Sequence, residues 1–178
     1  MKRTLLIAAL AGMVYGGVAV PASAQSVSIQ ADVLKDWTST KDMMMKIADA
    51  LPEDKFTYKS TPAQRNFGEQ ILHIAEVNVG LLGAVGGKAV APKFNAKATK
   101  KAEILKALGD SFDYGTALIR ELNDQGMVAA APMPPPFLGP SSRARVFYGL
   151  IGHTQDIYGQ MVVYLRLNGV VPPASQRP

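Results

Sequence analysis

Two histidines are the residues of this sequence best suited to chemistry. His153 lies on a C-terminal segment that is otherwise apolar at helical spacing, and His73 lies in a similar setting upstream. Histidine titrates near neutral pH and is the most common metal ligand in proteins. Two histidines on the interior faces of different helices would form a candidate metal site, although most protein metal sites use more ligands. The alternative for each is a neutral core histidine with a hydrogen-bond partner.

Other kinds of chemistry find little support in the composition. The sequence has no cysteine, which excludes thiol catalysis, thiolate metal ligands and disulfides, so any metal would have nitrogen and oxygen ligands. It also lacks a Ser-His-Asp signature, a glycine-rich phosphate loop and an HExxH motif. The formal charge of +5 falls to +3 without Lys2 and Arg3, and the basic run 97–101 has no interleaved aromatic residues. We therefore expect no nucleic-acid partner.

The first 24 residues have the organisation of a secretory signal peptide. A basic start precedes an apolar stretch over 5–20 that is short for a membrane span, and small residues follow it. We expect cleavage after Ala24, no stable membrane anchor after cleavage, and a periplasmic or secreted location. The remaining segment, 25–178, is long enough for one domain with its own core.

Apolar residues in this domain recur at steps of three and four, which predicts amphipathic helices. The predicted helices run from about 33 to 51, from 62 to 85, from 99 to 123, and from 141 or 142 to 168. Pro52 ends the first helix because proline lacks the amide that would continue it. Ser141 or Ser142 can cap the last helix, and Gly169 ends it.

Residues 125–140 separate the third and fourth predicted helices and contain five prolines, which exclude regular secondary structure. A loop of this length in a compact domain is usually functional or flexible. The apolar residues Met133, Phe137 and Leu138 favour a loop that packs as a cover at an open end of the domain.

Four amphipathic helices without a strand pattern predict an all-α four-helix bundle. Gly80, Gly83 and Gly159 weaken the helices that contain them, so we expect another backbone to approach closely at these positions. A pocket in the bundle could hold a small-molecule ligand, and the apolar faces of the helices could support a homodimer.

The two histidines belong to a pair of ordered motifs. The segment 70–76, Gln-Ile-Leu-His-Ile-Ala-Glu, lies on the second predicted helix, and 153–173 lies on and after the fourth. Together these motifs resemble the DinB-like superfamily over nearly all of 25–178. The resemblance implies a four-helix bundle with up-down-down-up connectivity and a divalent metal, often zinc or nickel, held by three histidines. Some members are thiol-dependent transferases or isomerases, and many have no known activity.

The histidine pattern departs from that of the family at one position. Members commonly place one metal-binding histidine on the second helix and two on the fourth, in the pattern His-x-x-x-His-x-Gly-Gln. His73 matches the first of these histidines and His153 the second, but the third falls on Ile157. Isoleucine has no lone pair to donate, and its apolar side chain disfavours a hydrated cation.

Three hypotheses follow from this departure. In the first, Asp156 completes a set of two histidines and one carboxylate, since it lies three residues after His153. In the second, the two histidines bind a metal weakly together with water, and Gln70, Glu76 or Gln160 lies nearby, where Gln160 could orient a histidine. In the third, the site holds no metal and the bundle serves binding or structure.

The sequence therefore predicts an exported DinB-like protein with a degenerate or altered divalent-metal site at His73 and His153. The enzymatic alternative is a metal-dependent transferase or hydrolase, in which the ion polarises a substrate or its bound water. The non-catalytic alternative is a binding or interaction protein that has lost the ion.

Overall fold

The structure, a computed structural model, describes residues 27–176, so the predicted signal peptide lies outside the described residues. Within 27–176 the chain forms five α-helices. They are α1 (Ile29–Ala50), α2 (Phe67–Leu82), α3 (Lys101–Arg120), α4 (Asp124–Val128) and α5 (Arg143–Leu167). No helix in this part of the chain combines the length and the apolar character needed to cross a membrane.

The four long helices form the predicted bundle, in which α1 packs against α3 and α5, and α2 packs against the same two helices. The helices α1 and α3 are antiparallel. Trp37, in the first half of α1, donates from Nε1 to the Phe112 carbonyl at 2.8 Å. Lys101, at the start of α3, lies 2.9 Å from the Asp49 carboxylate near the end of α1.

The remaining pairs establish the connectivity. The helix α2 runs parallel to α3, since Gly68 lies beside Ile104 and Asn78 hydrogen-bonds Ser111 at 3.2 Å. It runs antiparallel to α5, because Gln70, at the start of α2, hydrogen-bonds Gln160 in the last third of α5. The order is therefore up, down, down, up, which confirms the predicted all-α architecture.

Trp37 is the largest buried side chain and lies at the centre of the core. Its ring centroid lies 4.9 Å from that of Phe112 and 5.7 Å from that of Phe147, so it joins α1, α3 and α5. Gly115 on α3 makes room for the indole, since a Cβ at that position would lie 2.8 Å from Trp37 Nε1. Here a glycine is required by close packing and not by backbone conformation.

The start of α2 lies later than the predicted residue 62. Asn66 and Glu69 form a capping box in which each side chain accepts a hydrogen bond from the other residue's amide, at 2.8 and 2.7 Å. This reciprocal pair satisfies two amides that have no partner within the helix. It begins the helix at Phe67 and leaves Pro62 in the preceding turn.

The proline-rich segment is more ordered at its start than predicted. Asn123 accepts a hydrogen bond from the Gly126 amide at 2.8 Å and begins α4, where the prediction had no regular structure from residue 125. Asp124 ties α4 to the start of α1, because its carboxylate accepts hydrogen bonds from the Gln30 amide and the Ser28 hydroxyl. Both hydrogen bonds lower the pKa of Asp124, and the one from the Gln30 backbone amide contributes more than the one from the Ser28 hydroxyl.

The rest of that segment is a loop closed at its base by backbone hydrogen bonds between 129–131 and 141–143. Of the three apolar residues predicted to cover the bundle, Leu138 packs against the core. Met133 and Phe137 do not, since 68% and 74% of their surface is exposed. The predicted packed cover is therefore formed by Leu138 alone among the three. Ser142 caps α5 by accepting a hydrogen bond from the Arg145 amide, as predicted.

The expected close approach at three helical glycines is wrong. A Cβ atom built on Gly80, Gly83 or Gly159 would meet no other atom within 4 Å among the described residues. These glycines lower helix stability without admitting a neighbouring backbone from this chain.

Two substitutions on α3 test the packing around Trp37. We expect Gly115→Ala to lower the free energy of unfolding by about 1 to 3 kcal/mol, because the added methyl overlaps the buried indole. Gly109→Ala is the matched control, since its methyl would meet only the Met45 sulfur at 4.0 Å. It should raise stability by up to about 1 kcal/mol through helix propensity. Urea unfolding followed by Trp37 fluorescence measures both, and equal effects would contradict the packing described.

Candidate functional site

His73 on α2 and His153 on α5 lie directly opposite each other. Their Nε2 atoms are 3.2 Å apart, within hydrogen-bonding distance, and the ring centroids are separated by 5.1 Å with the planes at 71°. Both side chains are half-buried. The structure thus brings together the only two histidines of the sequence.

Polar contacts on one side of the pair hold α2 and α5 together. Gln70 donates from Nε2 to Gln160 Oε1 at 2.8 Å, about one turn of α2 before His73. Further along, the hydroxyl of the buried Tyr164 donates to the Arg65 carbonyl just before α2 begins. Because an α-helix is rigid over a few turns, these contacts set the relative height and rotation of the two histidine-bearing faces.

The surroundings favour the neutral form of both histidines. Burial lowers the pKa of His73, and the positive charges of Arg65 and of a protonated His153 lower it further. Burial also lowers the pKa of His153 and outweighs the nearby Asp156 carboxylate, which acts in the opposite direction. Neutral imidazole is the form that binds a metal, so both side chains are in the ligating state under ordinary conditions.

The hydrogen bond between the rings leaves one nitrogen unsatisfied. His153 Nδ1 is buried and has no hydrogen-bond partner among the described residues. A buried N–H without an acceptor is rarer than a buried lone pair without a donor. The arrangement therefore favours the tautomer in which His153 carries its proton on Nε2 and donates it to His73 Nε2.

The distance between the two Nε2 atoms also suits a shared metal ion. Two nitrogens bound to one tetrahedral zinc at 2.0–2.1 Å lie roughly 3.3 Å apart, close to the 3.2 Å observed. Ligation through both Nε2 atoms would, however, move the proton of His153 to the buried Nδ1, which has no acceptor. The usual hydrogen bond that orients a metal-binding histidine and raises its basicity is missing here. The residues present fit an ion as two ligands of a weak site.

The other predicted site residues lie around the pair without joining it. Asp156 is exposed and accepts a hydrogen bond from Gln160 Nε2 at 3.0 Å. Gln160 Oε1 accepts the hydrogen bond from Gln70, so the two glutamines bond each other and neither bonds a histidine. Glu76 is exposed, and Ile157 packs in the core with 3% of its surface exposed. Within 27–176, no three His, Asp or Glu side chains lie close enough to hold one metal ion.

A cavity of about 350 Å³ adjoins the pair on the side away from Gln70. Its lining includes Val77 from α2, Leu150 and His153 from α5, and Phe137 and Leu138 from the proline-rich loop. The periodicity of the sequence marked several of these positions as core residues. The sequence suggested a ligand pocket in the bundle but not its position or lining, because these depend on the side chains that three separate segments bring together.

The sequence also did not identify Arg65 as a residue of the site. It lies outside the predicted motifs, yet its charge acts on both histidines. The only signal in the sequence is its position just before the cap of α2, which brings it to the end of the helix that carries His73.

These features define a class of protein: a four-helix bundle in up-down-down-up order, with a histidine pair between its second and last long helices. A sequence profile of the DinB superfamily matches residues 36–161, well over half of the chain. The chain therefore belongs to the DinB superfamily.

Solved structures share this fold. A DinB-like protein from Bacillus cereus superposes with a TM-score of 0.66 at 19% identity, covering 82% of this chain and 96% of that one. A DinB-like protein from Bacillus subtilis gives a TM-score of 0.61 at 12% identity, covering 82% and 99%. At these identities the likeness concerns the fold alone. No curated protein matches the sequence.

The neutral histidine pair predicts a pH-dependent stability. Unfolded histidines bind protons near pH 6.5, whereas the folded pair binds them only at lower pH, so acid favours the unfolded state. We expect the stability contributed by the pair to be complete above pH 6.5 and to be lost as the pH falls through the lowered pKa values.

Urea unfolding at about pH 7.5 and pH 5.5, both above the usual carboxylate range, measures this effect. The control is the double variant His73→Gln, His153→Gln, which removes both titrating groups and should lose less stability between the two pH values. An equal loss in both proteins would show that other groups are responsible.

Proposed function

We propose that this DinB-superfamily protein binds a divalent metal ion weakly through His73 and His153, with water in the remaining coordination positions. The observation that carries the proposal is the 3.2 Å separation of the two Nε2 atoms, which matches the spacing of two nitrogen ligands on one ion. Their neutral state supports it, because neither histidine must lose a net charge before it ligates.

Three features argue for low affinity. The position of the family's third histidine is occupied by the buried Ile157, which supplies no donor. His153 Nδ1 lacks an acceptor, and leaving such a buried group unsatisfied costs about 1–3 kcal/mol. The positive charge of Arg65 acts on both histidines and disfavours a second cation. The site is therefore a reduced form of the three-histidine site implied by the family.

A bound divalent ion would supply Lewis-acid chemistry, polarising a carbonyl or lowering the pKa of a bound water. The residues around it do not add a general base. Asp156 is hydrogen-bonded to Gln160, and Glu76 is exposed on the surface of α2. We therefore propose binding and not a transferase or hydrolase activity.

A binding protein that holds no metal is the second candidate. The observation in its favour is the hydrogen bond between His73 and His153, which pairs both Nε2 atoms without an ion. The two candidates differ in whether zinc or nickel can compete with that hydrogen bond.

The proposal includes an exported location. Its support is the basic, apolar and small-residue organisation of residues 1–24, which is typical of a secretory signal peptide. In a periplasmic or secreted setting the low-molecular-weight thiols used by some members of the family are scarce. This location therefore favours binding over thiol transfer.

Metal titration of the mature chain tests the proposal. We expect uptake of about one zinc or nickel ion per chain, with NMR signals of His73 and His153 shifting together. His73→Ala and His153→Ala should each abolish uptake, because one histidine cannot hold the ion. Glu76→Gln is the control, since this exposed carboxylate forms no hydrogen bond with either histidine among the described residues. No uptake, or uptake that survives in both histidine variants, would refute the proposal.

Ile157→His tests whether the missing ligand limits affinity. The new histidine would lie one turn after His153, and we expect metal affinity to rise about tenfold or more as a third nitrogen joins the ion. The metal-free variant should be less stable, because a polar ring replaces an apolar side chain in the core. Competition with a chelating dye measures affinity. An unchanged affinity in a folded variant would show that residue 157 does not reach the ion.

A further inference from the structure

The cavity beside the histidine pair has two glycines in its walls, Gly80 on α2 and Gly149 on α5. A Cβ on Gly80 would meet nothing within 4 Å, and one on Gly149 would meet only the Leu138 side chain, at 3.8 Å. A helix is less stable with glycine than with alanine at an interior position. Close packing against another backbone, the usual reason for tolerating it, is absent at both positions. What the two glycines provide is open space in the cavity.

The side chains that line the cavity determine which kind of ligand it can bind. Of the nine lining residues, all within the described part of the chain, only His153 has a polar side chain. Arg65 and Asp156, whose charges act on His153, are not among them. A charged group placed in this cavity would lose its hydration without gaining a partner.

The size of the cavity is also suitable. Ligand pockets in proteins are mostly apolar, with a few polar groups that fix orientation, and begin at about 300 Å³. The cavity measures about 350 Å³, and the one polar side chain in its lining, His153, is already hydrogen-bonded to His73 through Nε2. Phe137 adds an aromatic side chain to the lining, and 74% of its surface is exposed. An exposed aromatic ring beside an apolar cavity can bury itself against a ligand.

We propose that this cavity binds a small, uncharged and largely apolar molecule, held mainly by apolar contacts with the lining. The proposal goes beyond metal binding and does not depend on it, since the walls of the cavity are formed without an ion. His153 belongs to both the histidine pair and the cavity, so a bound molecule would touch one of the two proposed metal ligands.

Two fluorescent probes that differ by one charged group test the proposed class. N-phenyl-1-naphthylamine is uncharged and apolar, and 8-anilino-1-naphthalenesulfonate is the same skeleton with a sulfonate. With a chelator present, we expect saturable binding of about one uncharged probe per chain, and binding of the sulfonate about tenfold weaker or more. The chelator separates this test from the metal proposal, which can fail without affecting the result. Equal affinity for the two probes would refute the proposed ligand class.

Substitution of the wall glycine locates the binding site. We expect Gly80→Leu to weaken binding of the uncharged probe by about tenfold, because the new side chain takes up space in the cavity. Gly159→Leu is the matched control, since it also lies in a helix with nothing within 4 Å but does not line the cavity. Circular dichroism checks that both variants fold. Equal affinity in the two variants would place the probe elsewhere and overturn the proposal.

Gly80→Ala provides a second and gentler test. Alanine should raise the midpoint of urea unfolding through helix propensity while weakening probe binding, so stability and binding change in opposite directions. A gain in both would overturn the proposal. Light scattering with and without the probe completes the test. If the probe enters only when a homodimer dissociates, this face is an interface between two copies and the proposal is wrong.

Discussion

The antiparallel packing of α2 against α5 is the contact on which the site depends. The Gln70–Gln160 hydrogen bond and the bond from Tyr164 to the Arg65 carbonyl fix the two helices relative to each other. With that alignment set, the histidines meet and the two wall glycines lie across one cavity. A displacement of either helix by one residue would turn its side chains by about 100° and separate the histidines. The core around Trp37 holds α5 in the bundle, since it joins α5 to α1 and α3.

Burial has two opposing consequences for the histidine pair. It lowers the pKa of both rings and so favours their neutral form, which is the form that can bind a metal. It also excludes water from His153 Nδ1, so this nitrogen would have no acceptor for the proton that it would carry if both Nε2 atoms bound an ion. In well-formed metal sites a carboxylate or carbonyl resolves this conflict by accepting that proton. Here no such acceptor reaches His153 Nδ1 among the described residues, and the nearby Asp156 accepts its hydrogen bond from Gln160 instead.

The sequence predicted the long helices well, because each buries a continuous stripe of apolar residues. On α3, for example, Leu108, Phe112 and Ile119 are all buried, as their spacing indicated. Helix boundaries that depend on side-chain caps were harder to predict. The cap at Asn66 begins α2 later than predicted, and the cap at Asn123 begins α4, which was not predicted. Both histidines were predicted, since a polar residue on an apolar face is visible in the pattern. The sequence suggested a pocket in the bundle, but it did not predict the position of the cavity or the influence of Arg65, because both arise from segments that are distant along the chain.

The up-down-down-up order has a consequence for how the chain folds. No helix forms a simple hairpin with the next long one: α1 and α2 lie diagonally, and α2 and α3 are parallel and joined by a long crossing segment. The contact between His73 and His153 therefore closes a loop of 80 residues, and that between Trp37 and Phe112 a loop of 75. Such non-local contacts slow folding, because the entropy of closing the loop is lost before the contact stabilises the chain. The histidine pair forms only when α5 packs against α2, so it reports on the docking of the last long helix.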